Sequence, residues 1–175
     1  MSKTQLPRQV EPHRLAANGE SLQGQLALDA LLRLVDEAGP QTGHCQVRLD
    51  FAIDPQGRRT IEGWLEAEVS LPCRRCLTPM ATRVESHFQL GVVSSDAQAA
   101  NLPGYLEPVL VENEQLNLLT VVEDELLLSL PQVVYHDETQ CRVSRDQLTS
   151  GADSEASEKP AASPFEVLRT LKGKH

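Results

Sequence analysis

The sequence predicts an α+β fold: a mainly antiparallel β-sheet or partial barrel, a few packing helices, and a disordered linker before a short C-terminal helix. Three observations carry this. Successive stretches between residues 45 and 92 alternate apolar and polar side chains with the period of a strand. The run from Leu118 to Leu130 has the apolar density of a helix and stops at Pro131. Residues 146–163 turn to Ser, Ala, Asp, Glu and Pro, with almost nothing large to bury.

Taken in order, residues 1–20 hold Pro7, Pro12, Asn18 and Gly19 and read as an extended lead-in rather than a helix, either an added strand or a mobile arm. Ser21 to Leu26 reads as a short strand. Leu28, Leu31, Leu32, Leu34 and Val35 are spaced for one helical face over about 27–38, and Gly39-Pro40 ends it. Cys45, Val47, Leu49, Phe51 and Ile53 then share one strand face, with His44, Gln46, Arg48 and Asp50 opposite. The run Asp54-Pro55-Gln56-Gly57 supplies a turn. The next strand places Ile61, Leu65, Ala67, Val69 and Leu71 inward, and Glu62, Trp64, Glu66 and Glu68 outward. A third strand returns from Met80 to Val92, so Cys73-Arg74-Arg75-Cys76 sits at the tip of a second hairpin, flanked by Pro72 and Pro79. Residues 94–108 read as a loop and 109–111 as a short edge strand.

Asn117 is a suitable N-cap for the helix that follows. At about 100° per residue, Leu118, Val121, Val122, Leu126, Leu128 and Leu130 form its apolar face. Glu123 and Asp124 lie outside that arc and Glu125 inside it. A carboxylate so placed needs a hydrogen-bonded or cationic partner, or a site that uses it; an internal pairing, for example with Arg74 or Arg75, is preferred to a direct contact with an outside partner. Val133-Val134-Tyr135 is strand-like. From Ser163 on, a capping Ser, Pro164, and Phe165, Leu168 and Leu171 at helical spacing predict a short basic amphipathic helix at 164–175, docking on its own domain or on a partner. The expected organisation is one domain over 1–145, a linker over 146–163, and that helix.

The totals narrow the function classes. At 175 residues with 40% hydrophobic and 23% charged residues, the chain has the composition of one soluble globular domain. No apolar run has the length of a signal peptide core or a membrane span, so the expected location is the cytoplasm, with no membrane partner. The net charge of −9 is uneven. Between Val84 and Cys141 there is no Lys or Arg, whereas ten acids, Glu107, Glu123, Asp124 and Glu125 among them, fall there. Such a field attracts basic partners and repels phosphate backbones. Arg58, Arg59, Arg74 and Arg75 are where RNA would be touched.

Cys73, Cys76, His136 and Cys141 are the strongest chemical constellation. Three sulfurs and one imidazole can close a tetrahedral zinc site with no open catalytic position. The competing reading is a thiol-based redox regulator, since Arg74 and Arg75 would lower a neighbouring thiol pKa. Redox CxxC pairs open helices in βαβ units, however, and this one follows a β-hairpin arm. Cys45, on an apolar strand face, reads as a small core residue. No glycine-rich phosphate loop, nucleophile elbow or paired metal-binding histidines are found, so neither an enzyme nor a small-molecule substrate is expected.

Together these residues resemble the YceD-type family, the large ribosomal RNA subunit accumulation proteins of bacteria. The likeness runs nearly end to end: Leu6-Pro7 with Pro12 and Arg14, Phe51-Ala52-Ile53-Asp54, the Cys73-x-x-Cys76 knuckle, Tyr105-x-Glu107-Pro108, Val122-Glu123-Asp124-Glu125 with Leu130-Pro131, His136-Asp137 to Cys141, and Pro164-Phe165 with Val167-Leu168 and Leu171-Lys172. Ser163 stands where the family often has Asn or Asp, which keeps the capping chemistry. The resemblance implies a non-enzymatic role in synthesis, processing or accumulation of large-subunit ribosomal RNA during ribosome biogenesis, and it supplies no mechanism. The residues add one: the acidic surface, with Glu123, Asp124 and Glu125, meets a basic ribosomal or assembly protein, while the arginines approach precursor ribosomal RNA.

Overall fold

The computed structural model describes residues 5–144 and 147. The chain divides into a compact unit, Met1–Arg142, and a second, Val143–His175. The fold is that of the first. Apart from residue 147, the expected linker and the terminal helix, with Phe165, Leu168 and Leu171, lie outside the described residues.

The core element is a five-stranded sheet, ordered β2-β3-β4-β5-β6 and not closed into a barrel. β2 (Ser21–Ala27), β3 (His44–Ile53), β4 (Arg59–Pro72) and β5 (Pro79–Val93) are antiparallel neighbours in chain order. β6 (Glu107–Leu110) runs parallel to β5, pairing Leu90 with Glu107 through Val93 with Leu110. The alternation forecast for β3 and β4 is the observed one. Cys45, Val47, Leu49, Phe51, Ile61, Leu65, Ala67, Val69 and Leu71 are buried. Ile53, at the mouth of the turn, is exposed. Asp54 closes that turn by accepting the amides of Gln56 and Arg58 at 2.9 and 2.8 Å. On the polar face Trp64 is half-buried and donates its indole N–H to Glu85 on the neighbouring strand at 2.9 Å.

The inward face is covered by α1 (Pro12–Asn18), α2 (Leu32–Ala38) and α4 (Leu118–Leu128), with a short α3 (Asp96–Ala99) after β5. Two-residue strands β1 (Gln9–Val10) and β7 (Leu116–Asn117) pair to seat α4. Asn117 caps α4 as expected, accepting from the amides of Leu119 and Thr120 at 3.1 and 3.4 Å. Among the described residues, no helix is long and apolar enough to cross a membrane.

Four local expectations are corrected. The lead-in contains α1, started by Pro12 at its first turn and ended by Gly19 in the left-handed region at φ 62°. Only Pro12, Leu15 and Ala16 are buried along it, too few to show a helical period. The helix expected over 27–38 is interrupted: β2 pairs with β3 as far as Ala27, and the Leu28 amide still donates to Gly43. Sheet pairing therefore claims the first residues, and a 3₁₀ turn at Leu28–Ala30 precedes α2. Leu28, Leu31 and Leu34 are buried all the same. Leu128, expected on the apolar face of the helix, is 74% exposed. Residues 133–135 find no strand neighbour and form a loop.

Candidate metal centre at the hairpin tip

β4 and β5 pair down to Pro72 and Pro79, leaving residues 73–78 as the tip. The Cys73 amide donates to the Thr78 carbonyl at 3.0 Å, and the Leu77 amide to the Cys73 carbonyl at 2.8 Å. Leu77 adopts φ 59°. A branched side chain in this left-handed region costs about 1–2 kcal/mol and persists only where the surroundings dictate it. What it achieves is a bend that turns two sulfurs to one side.

The segment after α4 runs back along this tip. Its Val134 carbonyl accepts the Arg74 amide at 2.9 Å. His136 follows two residues later, and a turn in which the Cys141 amide donates to Asp137 at 2.9 Å returns the last cysteine. The side-chain ligand atoms of Cys73, Cys76, His136 and Cys141 lie within 4.8 Å of one another.

The surroundings favour thiolates. Amides of Arg75 and His136 donate to the Cys73 sulfur at 3.4 and 3.5 Å. Thr78 Oγ1 is 3.0 Å from the Cys76 sulfur, and His136 Nδ1 is 3.4 Å from it. Thr78, with help from the Cys73 and Cys141 thiols, brings Cys76 down to about 5. Burial pushes Cys73 up, but backbone donation from Cys76, His136 and Arg75 outweighs it and leaves Cys73 at about 7. The sulfurs of Cys73 and Cys76 in turn raise His136. Cys45 is the contrast: burial, opposed only by a backbone hydrogen bond from Glu66, pushes its thiol up to about 12, as suits a core residue.

This donor set fits a closed zinc site. Zn–S and Zn–N bonds of about 2.3 and 2.0 Å at tetrahedral angles imply edges of roughly 3.5 Å between sulfur and nitrogen and roughly 3.8 Å between sulfurs. The 3.4 Å sulfur–nitrogen distance is close to the first of these. Thr78 was not foreseen, although a hydroxyl two residues after a CxxC is a readable signal for a thiolate donor.

The arginines do not form one patch. Arg58 precedes β4 and Arg59 opens it, Arg74 and Arg75 follow its end, and 14 residues of strand put roughly 40 Å between the two pairs. Arg58 is held by Asp54 at 2.6 Å and by the Tyr105 hydroxyl at 3.1 Å. Arg75 lies 5.7 Å from the Tyr135 ring centroid, and its buried Nη1 has no hydrogen-bond partner among the described residues. Arg59 and Arg74 are exposed.

The acids of α4 divide in a way the helical arc does not predict. Glu123 is buried against Arg33 of α2, its Oε2 2.9 Å from Nε, and Asp124 pairs with the same guanidinium. Glu125 is buried as expected, but neither Arg74 nor Arg75 reaches it. It faces Glu107 instead, and burial, then Glu107 and Asp124, raise it to about 7. The two arginines are committed to the hairpin tip, where the returning segment holds the backbone, so the pairing is corrected.

The family model described as large ribosomal RNA subunit accumulation protein YceD matches residues 61–172. A curated protein of that description from Haemophilus influenzae is 35% identical over 176 residues, covering 99% of this chain and 100% of its own length. No solved structure gives a match.

Proposed function

The chain belongs to the YceD family of large ribosomal RNA subunit accumulation proteins, and from that we propose that it is a non-enzymatic cytoplasmic factor in the accumulation of large-subunit ribosomal RNA. The observation that carries this is the end-to-end match to the Haemophilus influenzae protein of that name. Zinc held by Cys73, Cys76, His136 and Cys141 has a structural role: it ties the segment after α4 to the β4–β5 tip and so fixes the orientation of Arg74, Arg75 and Tyr135. A site closed by four protein ligands leaves no position for a substrate, which supports an assembly role over catalysis. The acidic side meets a basic ribosomal or assembly protein, and Arg74 with Arg75 faces precursor ribosomal RNA.

Depleting the protein and quantifying large- against small-subunit ribosomal RNA tests this. The ratio falls and is restored by the intact gene. An unchanged ratio overturns the reading.

The low value of Cys76, about 5, favours one second reading, a reversible Cys73–Cys76 disulfide acting as a redox regulator. Thiol counting decides between them: bound metal with no labile disulfide supports the structural centre, and metal-free protein that cycles between dithiol and disulfide supports the regulator.

A further inference from the structure

Glu125 is 7% exposed. Among the described residues no cation or hydrogen-bond donor meets its carboxylate, and its electrostatic neighbours are the acids Glu107 and Asp124. It lines an open groove of about 500 Å³ between α4, the edge of β5 and the start of β6. Three elements send carboxylates there, Glu62 from β4, Glu107 from β6 and Glu125 from α4, and no Lys or Arg lines it. The walls between them are mixed: Phe88, Tyr105 and Leu128 supply apolar surface, the last two being 60% and 74% exposed, and Ser86, His87 and Gln89 of β5 supply polar groups. β6 pairing begins only at Leu90, so the β5 edge before it, at residues 86–89, has no second strand neighbour among the described residues.

Stability does not account for this arrangement. A buried carboxylate without a counter-charge is disfavoured, and a neutral or apolar residue would cost less. A cation arriving from outside resolves it. It would supply the missing charge to Glu125 and Glu107, its aliphatic stem could cover Leu128, and the Tyr105 ring offers a π-face. Phosphate backbones are repelled by the same field.

We propose that this groove is a socket for an arginine or lysine side chain presented by an extended segment of a basic protein. The inference rests on the reading that the acidic side meets a basic assembly protein, and it assigns that contact to Glu125 and Glu107.

Fluorescence anisotropy of a labelled hexa-arginine peptide with the full chain tests the socket. Glu125→Gln and Glu107→Gln each weaken binding by about tenfold or more, while the double variant Glu112→Gln/Glu114→Gln, which removes more charge from another surface, stays within about twofold. Glu107 is exposed, so its variant reports on binding even if the buried site fails to fold. Equal weakening by the distant pair would reduce the effect to diffuse attraction and overturn the socket. So would the absence of binding by the intact chain, unweakened binding by both socket variants, or displacement of the peptide by equimolar spermidine or magnesium. The ribosomal RNA ratio is a separate readout: its failure leaves the peptide result standing, and failure of the socket leaves the ratio standing.

Discussion

Glu123 on α4 caps a helix other than its own. Its Oε1 accepts the Arg33 amide at 2.7 Å and the Leu34 amide at 3.4 Å, while Oε2 takes the Arg33 guanidinium at 2.9 Å. Leu31, at the N-cap of α2, offers no side-chain acceptor. A carboxylate from the neighbouring helix thus satisfies amides that α2 leaves open, and its charge suits a helix N-terminus.

Removing that acceptor should be costly. Glu123→Ala is expected to destabilise the protein by about 2–3 kcal/mol in denaturant unfolding, since it strands buried amides as well as the guanidinium. Asp124→Ala removes only a half-exposed pair and should cost less than about 1 kcal/mol. Equal losses would contradict the cap.

Glu125 gives the opposite sign. Burial, then Glu107 and Asp124, raise its folded value from 4.5 to about 7. An acid held protonated in the folded chain contributes stability in full below about pH 4.5 and loses it as pH rises to about 7. Glu125→Gln stays neutral throughout, so it should match the parent near pH 4 and exceed it by about 1–2 kcal/mol at pH 8, allowing for solvent screening. Unfolding curves at the two pH values check this, and a less stable variant at pH 8 would show that the carboxylate has a cationic partner.

Gly63 and Phe88 face each other across β4 and β5, and a Cβ on Gly63 would lie 2.0 Å from the Phe88 ring. Gly63→Ala must displace the ring and is expected to cost about 2–3 kcal/mol. Adding Phe88→Leu should recover part of that loss. A double variant less stable than the sum of the singles would contradict the clash.

The readable parts of this chain were those where one physical signal acted alone. β3, β4 and β5 follow the alternation of Cys45 to Phe51, Ile61 to Leu71 and Val84 to Leu90, because one sheet face is buried and the other wet. Asn117 and Pro131 bracket α4 by local chemistry. Where two signals compete, the sequence does not reveal the winner: at Ala27 and Leu28 a helical spacing yields to bonding with the sheet, and a 3₁₀ turn follows. Residues 133–135 have strand propensity, but no edge receives them. The four metal-ligand candidates were visible as residue types, while their convergence depends on the Leu77 bend and on the Arg74–Val134 hydrogen bond, neither of which has a sequence period. The roles of Glu123 and Glu125 depend on which element covers each side of α4, and helical position alone does not tell.

If the four-ligand centre staples the segment after α4 to the tip, its loss should loosen both. A strong chelator is expected to lower the thermal midpoint by on the order of 10 °C, reversibly on adding zinc under reducing conditions, and His136→Ala to lower it by a similar amount that added zinc does not restore. A midpoint indifferent to chelator would mean that the tip holds its shape without metal.

Metal stoichiometry with X-ray absorption on the reduced full-length chain tests the centre most directly. The expected result is one zinc per chain in a shell of three sulfurs at about 2.3 Å and one nitrogen at about 2.0 Å, with Cys141→Ser reducing the sulfur count to two. Metal-free protein, or a zinc shell unchanged by Cys141→Ser, would contradict it.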